Sequence, residues 1–64
     1  MTAEEAKEAL LKSKPARYKE TEYHSVNAIT YHLWRGRLCV FVELLDKNKN
    51  SVTVVPMADA ELIK

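Results

Sequence analysis

One cysteine, one glycine and two prolines occur among 64 residues, and these shortages narrow what the chain can be. With Cys39 alone, no intramolecular disulfide can form. That removes the small secreted disulfide scaffolds and fits a reducing cytoplasm. The longest unbroken apolar run, Leu38 to Val42, is far too short to span a bilayer. The opening Met1-Thr2-Ala3-Glu4-Glu5 is acidic and has no apolar stretch, so no signal peptide is expected. Neither sign of charge dominates. Ten basic residues stand against nine acidic ones, for a net charge of +1, whereas a dedicated nucleic-acid binder usually shows a clear basic excess. There is no phosphate loop and no nucleophile elbow.

The chain does carry enough apolar side chains to fold. Its hydrophobic fraction of 47% is ordinary for a globular domain. Residues 1–64 are expected to form one domain. A chain this short buries only about 60% of the surface its unfolded form exposes, and its net stability should be on the order of 3–10 kcal/mol.

A helix is expected over residues 3–12. Thr2 and Glu5 have capping-box spacing, with a hydroxyl for one orphan amide and a carboxylate reaching back to another. Ala3, Ala6 and Leu10 follow at helical spacing, flanked by Ala9 and Leu11. Glu8 precedes Lys12 by four residues, the favourable order for an ion pair. Pro15 disfavours helical geometry at Lys14 and closes the segment.

From Ala16 the period turns to alternation. Ala16 to Lys19 and the run Tyr23 to Trp34 read as strands. Glu20 and Thr21 between them are poor residues for a primed turn, which leaves that hairpin's register open. The long run slips phase, since Val26 and Ala28 are even positions while Ile29, Tyr31 and Leu33 are odd. Such a slip signals a bulge or sharp bend. The segment His32-Leu33-Trp34-Arg35-Gly36-Arg37-Leu38 holds the only glycine. With Arg35-Gly36 as a two-residue loop, Leu33 faces Leu38, Tyr31 faces Val40, Ile29 faces Val42 and Asn27 faces Leu44. Three of these pairs are wholly apolar and share one face, as a core face requires.

The next strand is expected from Leu38 to Leu45, followed by the polar loop Asp46 to Asn50. Ser51 to Val55 forms the last strand, ended by Pro56, which has no amide to donate. Placing Val52 and Val54 on the face of Val42 and Leu44 calls for an odd loop length, with Asn48 or Asn50 left-handed. Residues 57–63 are expected to form a helical turn, with Leu62 or Ile63 closing the core.

A short helix, a meander of four or five antiparallel strands over residues 16–56 and a terminal helical turn resemble an SH3-like small barrel, a mainly β fold. The chain also resembles small uncharacterised bacterial and phage proteins in which a short helix precedes a "Y-x4-Y" pattern, here Tyr18 and Tyr23, and a "VELLDKN-x-NSVTV" double strand. This resemblance implies the barrel and carries no catalytic residues.

The same hairpin register turns Thr30, His32 and Trp34 outward beside Arg37, Cys39 and Phe41. His32 then faces Cys39, Thr30 faces Phe41 and Trp34 faces Arg37. One expectation is that the N-terminal helix covers part of this face, burying Phe41 and Cys39 against Ala6 and Leu10. The other is that Thr30, His32, Trp34 and Phe41 form a contact surface for a protein partner or a second copy, because an exposed apolar patch usually marks an interaction site. His32 and Cys39 supply two zinc ligands where a site needs more. His24 lies too far along the chain to share an ion with them. Cys39 sits within an apolar strand, where a cysteine is more often structural than nucleophilic.

Trp34 with Arg35 and Arg37 could stack on a base and grip phosphate, with Lys12, Lys14 and Arg17 adding a basic segment. Arg37 lying across the Trp34 ring explains the same residues structurally. The expected function is therefore a non-enzymatic cytoplasmic interaction module. It would have no cofactor, metal, membrane or small-molecule substrate. A nucleic-acid-binding barrel using Lys12, Lys14, Arg17, Trp34, Arg35 and Arg37 is the alternative.

Overall fold

A computed structural model describes residues 1–63. Lys64, the last residue of the span read as one domain, lies outside them. Helix α1 covers Ala3–Lys12. The Thr2 hydroxyl accepts from the Glu5 amide at 3.1 Å, and the Glu5 carboxylate accepts from the Thr2 amide at 2.8 Å, so the capping box is complete. Ser13, at φ 51°, closes the helix in the left-handed region. The amides of Ser13 and Lys14 both donate to the Ala9 carbonyl. Glu8 pairs with Lys14, just beyond the helix end.

Six strands follow: β1 Ala16–Tyr18, β2 Thr21–Tyr23, β3 Ser25–Trp34, β4 Arg37–Leu45, β5 Val52–Pro56 and β6 Ala60–Leu62. They form two separate antiparallel sheets, ordered β2-β1-β6 and β3-β4-β5. The expected closed barrel is therefore wrong. The run Tyr23 to Trp34 breaks at His24, which passes the chain from one sheet to the other. Strands β1, β2 and β6 have three residues each, about 10 Å of chain, too little to carry a ladder around to β3 and β5.

Within the larger sheet the β3–β4 register is the one the apolar pairs imply, with Leu33 opposite Leu38, Tyr31 opposite Val40 and Ile29 opposite Val42. The phase slip is a bulge. Val26 pairs with Leu44 and Ala28 with Glu43, so Asn27 has no opposite number, contrary to the expected Asn27–Leu44 pair. The turn at Arg35 (φ 49°) and Gly36 (φ 76°) has positive φ at both positions, the signature of a primed hairpin turn.

The β4–β5 register runs in the other phase from that expected. Val55 faces Val42 and Thr53 faces Leu44, while Val52 and Val54 fall on the opposite face and are exposed. The loop side chain Asp46 sets this. Its carboxylate accepts from the Asn50 amide at 3.1 Å and the Ser51 hydroxyl at 2.8 Å, and its amide donates to the Ser51 carbonyl. Lys49, not an asparagine, takes the left-handed position.

Residues 57–63 also differ from the expected helical turn. Only Met57–Asp59 is helical, as one 3₁₀ turn, and β6 then pairs with β1. Leu62 does pack against the core.

Ala6 and Ala9 of α1, Ala16 of β1 and Ala60 of β6 pack on Val26, Val42, Leu44 and Val55. The helix and the small sheet thus cover one face of β3-β4-β5, the face of Val42. Small alanines on the covering layer let the backbones approach closely. That layer is short: ten helical residues span about 15 Å, whereas β3 has ten extended residues, about 33 Å, in a molecule 36 Å long. The distal half of the hairpin therefore projects past the core. Tyr31, Leu33 and Leu38, expected to be buried, are 61%, 75% and 66% exposed.

Candidate functional site

The outer face of the β3-β4-β5 sheet carries Thr30, His32 and Trp34 from β3, Phe41 and Cys39 from β4, and Val54 from β5. None of them belongs to the buried cluster or packs on it. The expectation that α1 covers Phe41 and Cys39 is therefore overturned: its alanine stripe docks on Val26 and Val42 across the sheet. Alanine side chains can approach a twisted sheet closely, and Val26, Val42 and Leu44 offer the denser apolar face.

His32, Trp34, Cys39, Phe41 and Val54 line an open hollow of about 390 Å³. The His32 and Phe41 rings meet edge to face, with centroids 5.4 Å apart and planes at 89°, a favourable aromatic geometry. Trp34 is 64% exposed, and its ring is capped by the Arg35 guanidinium at 5.5 Å. The cation on the tryptophan is thus the turn arginine, not Arg37 as cross-strand pairing suggested. Thr30 and Phe41 are half-buried and His32 is exposed. The sequence pattern placed Thr30, His32, Trp34 and Phe41 on this one face, as the register has them, but not Val54, because it put β5 in the opposite phase.

The basic residues are divided. Lys12 and Lys14 lie at the end of α1, Arg17 lies on β1, and Arg35 and Arg37 lie at the tip of the other sheet. Lys14 is held by Glu8, and Arg17 donates to Glu61 at 2.8 Å. Glu61, by hydrogen bond and charge, and then Glu22 raise the Arg17 pKa above its ordinary value. Lys47 pairs with Glu22 at 3.3 Å, so the outer face of the small sheet is a surface of alternating, paired charges.

No group of three metal-ligating side chains occurs among the described residues. No helix among them is long and apolar enough to cross a membrane. No protein-family model matches the chain, and neither a curated protein nor a solved structure matches it significantly.

Proposed function

We propose that the protein is a non-enzymatic, cytoplasmic association module that works without a cofactor and binds a protein partner or a second copy through the open face of its long hairpin. The observation that supports this reading most directly is the apolar hollow bounded by His32, Trp34, Cys39, Phe41 and Val54, on a sheet face that no core residue shares. Exposed apolar surface of this kind marks interaction sites in small soluble domains. Trp34 and Phe41 are the side chains best able to anchor a contact, since aromatic residues dominate interface energetics. The nucleic-acid alternative draws less support. Lys14 and Arg17 are held by carboxylates, and Arg17 lies in a different sheet from Arg35 and Arg37.

Trp34→Ala and Phe41→Ala test the reading. The thermal midpoint of Trp34→Ala should stay near that of the wild type, while association falls, read as mass by light scattering or as recovery of a partner. A large loss of midpoint with association unchanged would make Trp34 a structural residue and the reading wrong.

A further inference from the structure

The two edges of the larger sheet are unlike. Strand β5 ends in Pro56, which cannot donate to a neighbouring strand. Among the described residues, strand β3 has β4 as its only hydrogen-bonded neighbour. From Ala28 to Trp34 it carries no charged residue, no proline and no glycine. Natural edge strands are commonly guarded by lysine, proline or a bulge, and the one bulge, at Asn27, lies just before this segment.

The turn determines which backbone groups face that edge. In a two-residue primed hairpin the flanking residues, here Trp34 and Arg37, exchange both backbone hydrogen bonds, and bonded pairs alternate from there. Ala28, Thr30, His32 and Trp34 therefore direct their amides and carbonyls at β4. Ile29, Tyr31 and Leu33 direct theirs away from the sheet.

We infer that the chain forms a two-fold dimer by antiparallel pairing of β3 with β3 of a second copy, centred on Tyr31. This deepens the association reading and rests on the hairpin being the contact element. The bulge at Asn27 and the turn at Arg35 bound the regular segment Ala28 to Trp34, and Tyr31 is its midpoint. A two-fold axis there sets Ile29 opposite Leu33, Thr30 opposite His32 and Ala28 opposite Trp34 of the second copy. Each residue keeps its own face, and no charge meets a like charge. The outward groups of Ile29, Tyr31 and Leu33 meet in phase, giving about six backbone hydrogen bonds.

Charge favours a second copy as well. Arg35 at the tip and Glu43 near the base of the hairpin have no ion-pair partner among the described residues. Antiparallel apposition brings Arg35 of one copy beside Asn27 of the other, and Asn27 donates to Glu43 at 3.4 Å. Glu43 is then two strand spacings, about 10 Å, from the Arg35 backbone, within reach of an arginine side chain, and the contact occurs twice. A seven-residue strand pair with side chains on both faces buries on the order of 1,000 Å², the lower end of specific interfaces. The dimer should accordingly be concentration-dependent.

Sedimentation velocity over about 1 µM to about 1 mM, on the wild type, Tyr31→Lys, Tyr31→Glu and their equimolar mixture, tests this. Tyr31 is exposed and its backbone groups bond nothing in the monomer, so at concentrations where the wild type is itself monomeric both variants should keep its circular dichroism and thermal midpoint. The wild type should dimerise. Each variant alone sets like charges face to face and should raise the dissociation constant at least about tenfold. The mixture should restore the dimer as a heterodimer. A mixture that stays monomeric, or a dimer that persists in both variants, overturns the β3 pairing. A dimer that ignores Tyr31 but is lost in Phe41→Ala overturns it too, and leaves the association reading standing on the sheet face. A wild type that is monomeric throughout overturns the dimer, and association is then decided by partner recovery with Trp34→Ala.

Discussion

Phe41 and Val42 are neighbours on β4 and lie on opposite faces of the sheet, Val42 fully buried and Phe41 half-buried beside the open hollow. Val42→Ala should therefore cost about 1–3 kcal/mol through lost burial and a residual cavity. Leu33→Ala, on the projecting part of the same hairpin, should change stability by no more than about 0.5 kcal/mol. Urea denaturation midpoints of the two variants check this. Equal losses would mean that the core extends to the hairpin tip.

The helix start offers a second measurement. Thr2→Ala removes the hydroxyl that accepts from Glu5 and should cost about 1 kcal/mol. In a domain this small that is a fall of about 4–8 °C in thermal midpoint. An unchanged midpoint would show that packing of Ala6 and Ala9 holds the first turn without its cap.

Ser13→Gly should act in the opposite direction. Ser13 closes α1 at φ 51°, a conformation glycine adopts without a Cβ penalty. A gain of about 0.5–1 kcal/mol is expected, read as a raised midpoint. A loss would show that the Ser13 side chain makes up for its backbone strain.

Acid should loosen the Asp46 loop. The hydrogen bond from the Ser51 hydroxyl lowers the Asp46 pKa below its ordinary value; burial, next in size, opposes it, and the Asn50, Ser51 and Lys49 amides add to the lowering. A carboxylate with a lowered folded pKa stabilises fully above its unfolded value, near 3.9, and the contribution is lost as pH falls through the lower folded value. The Asn50 amide shift, followed by NMR, should titrate with a midpoint below about 3.9, and Ser51→Ala should move that midpoint upward. A wild-type midpoint at or above the ordinary value would contradict the loop geometry.

Local signals in the sequence carried local structure well. Thr2 with Glu5 marked the helix start, and the apolar pairs Ile29/Val42, Tyr31/Val40 and Leu33/Leu38 fixed the hairpin register, which in turn placed Thr30, His32, Trp34 and Phe41 on one face. Alternation identifies a face but not how far along it a second layer extends, so Tyr31, Leu33 and Leu38 were assigned to a core that stops at Ile29. The phase of β5 depends on how the Asp46 side chain folds its loop, and a run of polar turn residues does not encode that choice. With that phase wrong, Val54 was lost from the candidate surface. The barrel failed for a longer-range reason. Whether β2 and β3 form one ladder is decided at the single residue His24, where no proline or glycine marks the break.

The pairing of β1 with β6 has a consequence for the order in which the molecule assembles. It joins Arg17 to Glu61 across 44 residues, and Ala16 and Ala60 enter the core from the two partners. On a ribosome, the β3–β4 hairpin has its own turn and register as soon as Leu45 emerges, but the layer that packs on it is incomplete until β6 emerges as well. Contacts of such long sequence separation are also slow to form. During that interval the nascent chain presents an uncharged strand edge above an unfinished core, so the stage most exposed to misassembly is the one before β6 docks rather than the folded state.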